Sequence, residues 1–430
     1  MGLIKCSILF TMRSIYREVF RGHIFRYYYY IKIKKNEYNK EYLDNYIKWR
    51  LQKIKYSLHM IDYPENEDIE DFIAKFPPIS KSDVISNYPL YISKKAAKLI
   101  YNYGSTSGTS GTPLKIKQSL ESVQLEEAFS YRQRKWAGYS LFDRIAWIRG
   151  DKVVSSLQVN PPYWCRDYFL NRLLMSSYHI SANSSHLYIK QLEKFDPILI
   201  EAYPSSIVTL AKWMKDNNYL YKGESLKAVM TSSEIFTDED KQLVMEIFGC
   251  KVYDWYGQAE HVAAIGTCEF GSKHLLTDYS FVEIHGDGKQ EIIGTSYNNV
   301  AMPLIRYKTG DFFEMANYTC ECGRIFPVVK KIYGRSEKGF QLSNGRKIVF
   351  LGHAFKKIPN LLEAQIVQKS ADRFIVNLVV NDNFDDKYIK VILKDLADRM
   401  GDVDISFNKV DHIQRGKNGK FELLKVDIDE

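Results

Sequence analysis

Residues 103–115 read YGSTSGTSGTPLK, and all nine positions from Gly104 to Thr112 are Gly, Ser or Thr. Such a run is compatible with a flexible linker between domains, or with a loop whose backbone N–H groups and hydroxyls surround a phosphate. It is not a Walker A loop, because its glycines have the wrong spacing and no Lys follows a Gly. The alternating segment LKIKQ after Pro113 predicts a strand that anchors one end of a loop. The run alone leaves both interpretations open.

The chain is long enough for two or three domains and has the composition of an ordinary soluble protein. Its 430 residues are 45% hydrophobic and 26% charged. No apolar run reaches the roughly 18 residues that a membrane span needs. The start, MGLIKCSILFTM, has no small-residue cleavage site, so we expect neither a signal peptide nor an anchor. Six cysteines do not make a disulfide framework, and we expect a reducing, cytoplasmic location.

The net charge of +8 is concentrated at the N-terminus. Residues 1–35 hold eight Lys or Arg against Glu18 alone, so the rest of the chain is close to neutral. This distribution argues against a nucleic-acid-binding body, which would carry its positive charge on the domain itself. The arm has apolar residues at helical spacing with Arg13, Arg17 and Arg21 on another face. We favour a helix packed on the protein's own body, with contact to an anionic membrane surface as the alternative.

Apolar runs and helical patterns alternate through the first two thirds of the chain. Strands are predicted at RIAWIRG (144–150), PILIEAY (197–203), LKAVMTSSE (226–234) and KVYDWYG (251–257). The intervening helices are predicted near residues 121–137, 166–174, 184–194, 205–216 and 237–248. This order indicates an α/β fold with a substantially parallel sheet.

The pattern changes twice in the remaining third. Residues from 275 predict antiparallel strands joined by a Gly-Asp-Gly-Lys hairpin, and a second break falls at Gly334–Lys338. Beyond it, strands such as RFIVNLVV mix with a helix at 386–399. We therefore predict an N-terminal arm (1–40), a large domain (41–334) and a small C-terminal domain (335–430).

Five short motifs stand in a characteristic order. They are STSGTSGTP (105–113), YGQAE (256–260), YKTGD (307–311), YGRSEKG (333–339) and GKF (419–421). Together they resemble the motifs of the adenylate-forming superfamily of acyl-CoA synthetases. Within it, the chain is similar to the phenylacetate–CoA ligases and their CapK-type relatives of capsular polysaccharide clusters. The resemblance runs from about residue 45 to the C-terminus.

The resemblance implies a fold, a reaction and a set of site residues. The fold is a large α/β adenylate-forming domain with mixed sheets and a small mobile α+β lid. The reaction joins a carboxylic acid to ATP with Mg²⁺, releases pyrophosphate, and passes the acyl group to CoA or to another acceptor such as an amino sugar. The implied residues are Thr106, Ser107, Gly108 and Thr109 at the β- and γ-phosphates, Ser233 and Glu234 at the adenine pocket, Tyr256 stacked near adenine, Glu260 on Mg²⁺, Asp311 on the ribose, Arg335 on the nucleotide, and Lys420 bridging phosphate and carboxylate. The chain departs from the family at Glu337, where Asp is usual.

A separate set of cysteines and a histidine has metal-ligand spacing. Cys268 and His274 lie about fifty residues before Cys320 and Cys322. Three thiols and an imidazole can complete a tetrahedral structural zinc site, and the phenylacetate–CoA ligase branch carries similar sets. Plain reduced cysteines are the alternative. The other three cysteines, Cys6, Cys165 and Cys250, are expected to be isolated.

The identity of the acid and of the acyl acceptor is not encoded in any motif. We expect the acid to bind within residues 131–210, where the chain has no motif. A non-catalytic nucleotide-binding or scaffold member of a polysaccharide pathway is the alternative function. The retention of Glu260, Asp311 and Lys420 together argues for the enzyme.

Overall fold

The computed structural model describes most of the chain. The described residues are 2–58, 68–94, 101–106, 113–155, 158–286, 288–334, 340–348, 351–355, 358–416 and 419–428. By contact density the chain forms two compact units. Unit 1 comprises residues 1–11, 142–252 and 337–430, and unit 2 comprises residues 12–141 and 253–336. The predicted hinge lies mostly at residues 335–339, outside the described residues, so the predicted domain boundaries stay predictions.

The α-helices of the described residues include those predicted near residues 121–137, 184–194, 205–216, 237–248 and 386–399. They are α1 (Gly2–Ile15), α2 (Arg26–Lys34), α3 (Lys40–Ser57), α4 (Ile69–Ala74), α5 (Lys81–Ser86), α6 (Leu120–Trp136), α7 (Ser185–Phe195), α8 (Pro204–Asp216), α9 (Asp238–Phe248) and α10 (Lys387–Met400). Ser80 begins α5 with a capping box, since its backbone N–H donates to Asp83 at 2.8 Å and its hydroxyl accepts from the Asp83 N–H. None of the described helices combines the length and hydropathy that a bilayer span requires.

The strands are short and follow in close succession. They are β1 (Tyr101–Ser105), β2 (Lys115–Ser119), β3 (Ile145–Ile148), β4 (Trp164–Asp167), β5 (Arg172–Met175), β6 (Leu199–Ala202), β7 (Ala228–Ser232), β8 (Lys251–Gly257), β9 (Ala264–Thr267), β10 (Lys273–Leu275), β11 (Ser280–Val282), β12 (Gln290–Ser296), β13 (Tyr307–Met315), β14 (Val328–Tyr333), β15 (Phe340–Gln341), β16 (Lys347–Ile348), β17 (Leu361–Ser370), β18 (Arg373–Val380), β19 (Asp404–Lys409) and β20 (Leu424–Val426).

In unit 1 the strands β7, β6, β3 and β5 are neighbours and run parallel, as predicted, and β4 adds an antiparallel edge. Strand β6 has every residue buried, which is typical of a parallel strand covered on both faces. Helices α7, α8 and α9 supply the cover through one apolar core with these strands.

The C-terminal part of unit 1 is a four-stranded sheet in the order β19-β18-β17-β20. Its two outer pairings are parallel and the central pairing is antiparallel. Helix α10 packs on this sheet through Ile392, Leu396 and Met400. This segment is the predicted α+β C-terminal structure, and it contacts α8, where the Thr209 hydroxyl donates to Glu363 at 2.7 Å.

In unit 2 the strands β11, β12, β13, β14, β10, β9 and β8 follow one another with antiparallel pairing. The predicted hairpin is confirmed, because β11 and β12 pair from Ser280↔Ser296 to Val282↔Gly294. Strands β1 and β2 form a separate antiparallel hairpin.

One predicted helix was wrong. Residues 166–174 belong to β4, a turn and β5, which pair from Asp167↔Arg172 to Trp164↔Met175. The turn between them uses Asn171 in the left-handed region, at φ +51°. The apolar spacing here is compatible with both periods, and pairing with β3 selects the strand.

The N-terminal arm is helical and packs on the body, which confirms the favoured interpretation. In unit 1, Ser7 of α1 accepts a hydrogen bond from the Arg166 backbone at 3.0 Å. In unit 2, α2 packs on α6, where the Tyr27 and Tyr30 rings meet Tyr131 edge-on at 5.1 and 4.9 Å. The expectation that Cys6 and Cys165 are isolated was wrong, because their sulfur atoms are in contact.

Candidate active site

In unit 1 the candidate site lies at the carboxyl ends of the parallel strands, where α/β sheets commonly bind ligands. Strand β3 ends directly before Arg149 and Gly150, and β6 ends directly before Tyr203. Strand β7 ends at Ser232, followed by the predicted site residues Ser233 and Glu234. Parallel pairing therefore brings residues eighty positions apart in sequence to one edge.

Glu234 joins this edge to the C-terminal segment. One carboxylate oxygen accepts from the backbone N–H of Ser205, in the first turn of α8, at 2.9 Å. The other accepts from the backbone N–H of Phe421, also at 2.9 Å. A carboxylate at a helix N-terminus is stabilised by the helix dipole. Glu234 thus holds the residue directly after Lys420 against the carboxyl end of the sheet.

The Gly419–Lys420 segment is a tight turn pressed against β3's end. The Gly416 N–H donates to the Lys420 carbonyl at 3.0 Å, and the Gly419 N–H donates to the Gly416 carbonyl at 2.8 Å. Gly419 has φ +70°, and a Cβ there would lie 2.4 Å from the Gly150 Cα. Only glycine fits this position, because a side chain would need both the left-handed region and space that the backbone of Gly150 fills. Lys420 is half-buried beside it.

Arg149 is a candidate site residue that no motif revealed. Its guanidinium donates to the hydroxyl of Ser232 and, at 3.3 Å, to that of Ser233. It also lies over the rings of Trp147 and Tyr203, 5.2 and 5.4 Å from their centroids. Within the described part of the chain, no carboxylate lies within 4.0 Å of it, so hydroxyls and rings hold this cation. The sequence feature that could have identified Arg149 is its position directly after an apolar strand of a predicted parallel sheet.

In unit 2 the flanks of the Gly/Ser/Thr run form the β1–β2 hairpin. Ser105 pairs with Lys115, and Thr106 continues the ladder, with its N–H donating to the Leu114 carbonyl at 3.0 Å. The Thr106 hydroxyl accepts from the Leu114 N–H at 2.9 Å. The described flanks are therefore those of a hairpin loop within one unit. Ser107, Gly108 and Thr109 lie outside the described residues, as does Arg335.

The two remaining nucleotide motifs meet through tyrosine–carboxylate pairs. Tyr307 donates its hydroxyl to Glu260 at 3.0 Å, and Tyr256 donates to Asp311 at 2.8 Å. Burial and the nearby Asp311 charge raise the pKa of Tyr256 well above its usual value, so its hydroxyl stays a donor. Each pair joins a residue of the YGQAE motif to a residue of the YKTGD motif.

The hairpin is packed onto these motifs by one apolar cluster. The cluster contains Leu114 and Ile116 of the hairpin, Val262 after the Glu260 turn, and Tyr307, with Ala259 packed against it. Three predicted motifs separated by about two hundred residues thus converge in unit 2. Arg306 directly precedes the YKTGD motif. Its guanidinium is already engaged, because it forms a bidentate ion pair with Glu283 at 2.8 and 3.0 Å.

Asp311 lies in an irregular part of β13. The pairing with β12 changes register between Glu291 and Ile293, and Gly310 has φ +74°. The Thr309 hydroxyl accepts from the Asp311 N–H at 3.1 Å. A bulge re-aims a side chain out of the regular pleat. Thr309 and Gly310 of the YKTGD motif therefore form a bulge within a strand.

The four predicted metal ligands come together in unit 2. One ligand atom from each of Cys268, His274, Cys320 and Cys322 lies within 4.8 Å of all the others. The Cys268 and Cys320 sulfur atoms are 3.6 Å apart, close to the about 3.8 Å that bonds of 2.3 Å to a tetrahedral zinc would give. Three soft sulfur donors and an imidazole suit zinc better than magnesium or calcium.

The tautomer of His274 fits a metal ligand. Its Nδ1 lies 3.0 Å from the Phe326 carbonyl oxygen, which can only accept, so Nδ1 carries the proton. Nε2 is then left with its lone pair and faces the Cys322 sulfur at 3.3 Å. Burial lowers the pKa of His274, which keeps the imidazole neutral. A carbonyl that orients the imidazole is the usual support of a ligating histidine.

The comparisons with known proteins agree with the motifs. The CapK C-terminal domain family matches residues 341–427. Protein CapK of Staphylococcus aureus is 28% identical over 366 residues, which cover 81% of this chain and 79% of that protein. Phenylacetate-coenzyme A ligase of Pseudomonas putida is 22% identical, over 77% of this chain and 75% of that protein.

The fold is similar to that of solved ligases. A crystal structure of 2-hydroxyisobutyryl-CoA ligase in the postadenylation state, in complex with R3-HIB-AMP, aligns with a TM-score of 0.61 at 17% identity. The alignment covers 90% of this chain and 89% of that one. The resemblance inferred from the motifs is confirmed: the chain has homologues among CapK and the phenylacetate–CoA ligases, and its α/β fold with a C-terminal domain is that of adenylate-forming ligases.

Proposed function

We propose that this homologue of CapK and the phenylacetate–CoA ligases is an AMP-forming acid–CoA ligase. In the first step a carboxylate oxygen attacks the α-phosphorus of ATP, the bond to the bridging β-phosphate oxygen breaks, and pyrophosphate leaves. In the second step the CoA sulfur attacks the acyl carbonyl, and AMP leaves. Negative charge builds on the α-phosphoryl oxygens in the first step, so a fixed cation there lowers the barrier.

The observation that carries this proposal is the position of the Gly419–Lys420 turn. The turn is held at the carboxyl ends of the parallel strands by Glu234 and by close packing on Gly150. In our proposal Lys420 supplies the cation between the carboxylate and the α-phosphate. A lysine that served only as a solvated surface residue would require neither the close packing of Gly419 on Gly150 nor the hydrogen bond by which Glu234 holds Phe421.

The nucleotide roles follow the paired carboxylates of unit 2. We assign Asp311 to the ribose hydroxyls, since Tyr256 holds one of its oxygens and orients the group. We assign Glu260 to Mg²⁺, which would neutralise charge on the phosphates. Among the described residues only Oε1 of Glu260 accepts a hydrogen bond, and the second oxygen remains for the ion. Thr106 and the loop after it are assigned to the β- and γ-phosphates.

The acid is assigned to the edge formed by β3, β5 and β6, inside the range expected from the sequence. Arg149 is the charged group at that edge, and we propose that it contacts the substrate carboxylate. The guanidinium presents a rigid fork that matches a carboxylate. Its placement between two aromatic rings and two hydroxyls fixes its direction.

The acceptor is assigned from the relatives. The names of phenylacetate-coenzyme A ligase and 2-hydroxyisobutyryl-CoA ligase include CoA, so our first proposal for the acyl acceptor is CoA. Transfer to an amino sugar in surface polysaccharide synthesis is the second proposal, which rests on the similarity to CapK. We propose a cytoplasmic location, where ATP and CoA are available. The Cys/His set is assigned to a structural zinc ion that ties the β9–β10 turn to residues 320–322.

The test is acid-dependent release of pyrophosphate across a panel of carboxylic acids, with and without CoA. Lys420→Ala should lower release by about a hundredfold or more, as for loss of a transition-state contact, while ATP affinity changes little. Lys425→Ala, five residues away on β20, is the matched control and should keep activity. Formation of an acyl-CoA thioester would identify the acceptor.

The alternative is a non-catalytic nucleotide-binding protein. Bound ATP with no pyrophosphate release from any acid would favour it and would contradict the ligase proposal. Equal rates for Lys420→Ala and Lys425→Ala would remove the role assigned to Lys420.

A further inference from the structure

The N-terminal helices carry a high density of exposed apolar side chains. Of the 32 large apolar residues exposed in the described part of the chain, eleven lie between residues 4 and 31. We call these eleven the arm surface: Ile4, Ile8, Leu9, Met12, Tyr16, Val19, Phe20, Ile24, Phe25, Tyr28 and Ile31. Soluble monomers rarely expose large apolar patches, and those that do use them for binding.

Helix α1 leaves large apolar residues exposed on the side away from its packed face. The packed face contains Cys6, Ser7 and Thr11, which contact or hydrogen-bond β4 or its turn, and Phe10, which packs with Cys6 against the apolar cluster that includes Cys165. The opposite face carries Ile8 and Leu9, which are 52% and 65% exposed. An amphipathic helix normally buries its large apolar residues in the core. Helix α1 partly buries Phe10 but leaves Ile8 and Leu9 exposed.

Part of the arm's positive charge is used internally. Arg26 is buried and pairs with Glu18, and Arg17 pairs with Glu127 of α6 at 3.1 Å. The Arg17–Glu127 pair fixes the arm to α6, and the Arg26–Glu18 pair joins two residues of the arm itself. Because both arginines are paired with carboxylates, two of the eight cations of the arm are neutralised within the protein.

The remaining cations accompany the arm surface. Lys5, Arg13 and Lys34 are exposed, and none has a carboxylate within 4.0 Å among the described residues. Glu18 is the sole acidic residue before position 37, and it is buried. Helix α1 therefore exposes apolar and cationic side chains and contains no acidic residue.

We propose that helix α1 of this arm binds the surface of an anionic lipid bilayer. Its exposed apolar side chains would lie at the boundary of headgroups and acyl chains, and Lys5 and Arg13 would lie among the phosphates. Each Lys or Arg close to such a surface raises affinity roughly fivefold. Helix α1 has 14 residues, fewer than the about 20 needed to span a bilayer, so it lies in the plane of the surface.

Charge selects the lipid surface over a second copy of the chain. A symmetric dimer would place the same patch on both sides of the interface. The cations of one arm would then face the cations of the other, without an exposed acidic residue of the arm between them. An anionic bilayer satisfies both the apolar residues and the cations.

The test is co-sedimentation of the full-length protein with vesicles. We expect binding to an equal mixture of phosphatidylglycerol and phosphatidylcholine, weaker binding at high salt, and little binding to phosphatidylcholine alone. Leu9→Glu combined with Met12→Glu should lower the affinity about tenfold or more through lost apolar burial. Leu220→Glu is the matched control, since Leu220 is 62% exposed elsewhere on the molecule, and it should bind as the wild type does.

A second pair of variants isolates charge. Lys5→Glu with Arg13→Glu should weaken binding, whereas Lys390→Glu with Lys394→Glu, exposed lysines of α10 with the same change of net charge, should not. Circular dichroism and thermal melting check that the arm variants remain folded. Pyrophosphate release should be unchanged by all of them, so failure of this proposal is separable from failure of the ligase proposal.

Three results would overturn the inference. The first is no sedimentation with anionic vesicles. The second is equal binding by the arm variants and their controls. The third is a dimer in light scattering that the arm variants dissociate while vesicle binding stays absent, which would assign the surface to a second copy.

Discussion

Replacement of Gly419 by Ala tests whether the docked turn beside Lys420 matters. Gly419 has φ +70°, and an L-residue in the left-handed region costs about 1–2 kcal/mol. The added Cβ would also lie 2.4 Å from the Gly150 Cα, where carbon atoms normally approach to about 3.5–4.0 Å. Because the obstacle is backbone, the turn must move by about 1 Å or more.

The backbone strain alone should reduce the docked population relative to the undocked one by about 5–30-fold. Steric exclusion adds to that figure. The first readout is hydrogen exchange at the Phe421 amide, which donates to Glu234 in the docked turn and should lose protection. The second readout is pyrophosphate release, which should fall by a similar factor or more.

Gly416→Ala is the matched control in the same turn. Gly416 does not have a positive φ, and a Cβ there would meet only the Lys420 carbonyl oxygen at an ordinary 3.6 Å. It should leave amide protection and activity close to wild type. Equal exchange at Phe421 in the two variants would refute the docked geometry. Lost protection with full activity would instead refute the role of docking in the reaction.

Further predictions concern the metal set, pH and the arm. Purified protein should contain about one zinc ion per chain by elemental analysis. Cys320→Ser should lower both the zinc content and the melting temperature, whereas the control Cys250→Ser should change neither. A wild-type protein that is equally stable without metal would contradict the site. Partial burial of Glu127 favours its neutral form, yet the His23 ring at 3.8 Å and the nearby arginines depress its pKa, so its stabilising contribution is present at neutral pH and is lost as pH falls below its ordinary value of about 4.3. Glu127→Gln should therefore lower the melting temperature at neutral pH and have a smaller effect in acid; a pH-independent difference would contradict this. Mild oxidation should link Cys6 to Cys165, as seen by peptide mapping, while Cys250 remains a thiol; a failure to crosslink would contradict the docking of α1.

The pattern of apolar residues was sufficient for most of the fold. Strands β3, β6 and β7 lie where short apolar runs predicted them, because such runs are typical of parallel strands covered on both faces, and β8 also lies at its predicted place. The failure at residues 166–174 shows the limit of local pattern. There a short segment fits two periods, and the neighbouring strand β3 provides the partner that decides between them.

Glu260 and Asp311 could be named because their motifs resemble those of the adenylate-forming ligases, and the four metal ligands because of their spacing. The structure pairs the first two with tyrosines and gathers the other four. The roles of these residues remain predictions. Arg149 was missed because no motif surrounds it, and its position after an apolar strand became informative only when parallel pairing brought it beside Ser232 and Ser233.

The sequence by itself determined the α/β character, the order of the motifs and the residue types available for chemistry, because these depend on local spacing and composition. Tertiary structure alone decided which groups meet. It brought the C-terminal Gly419–Lys420 turn against Gly150 and Glu234, and it placed Arg149 beside Ser233. It also decided which arm residues pack and which stay exposed, because a helix of mixed character has two usable faces and only its partner surface selects one.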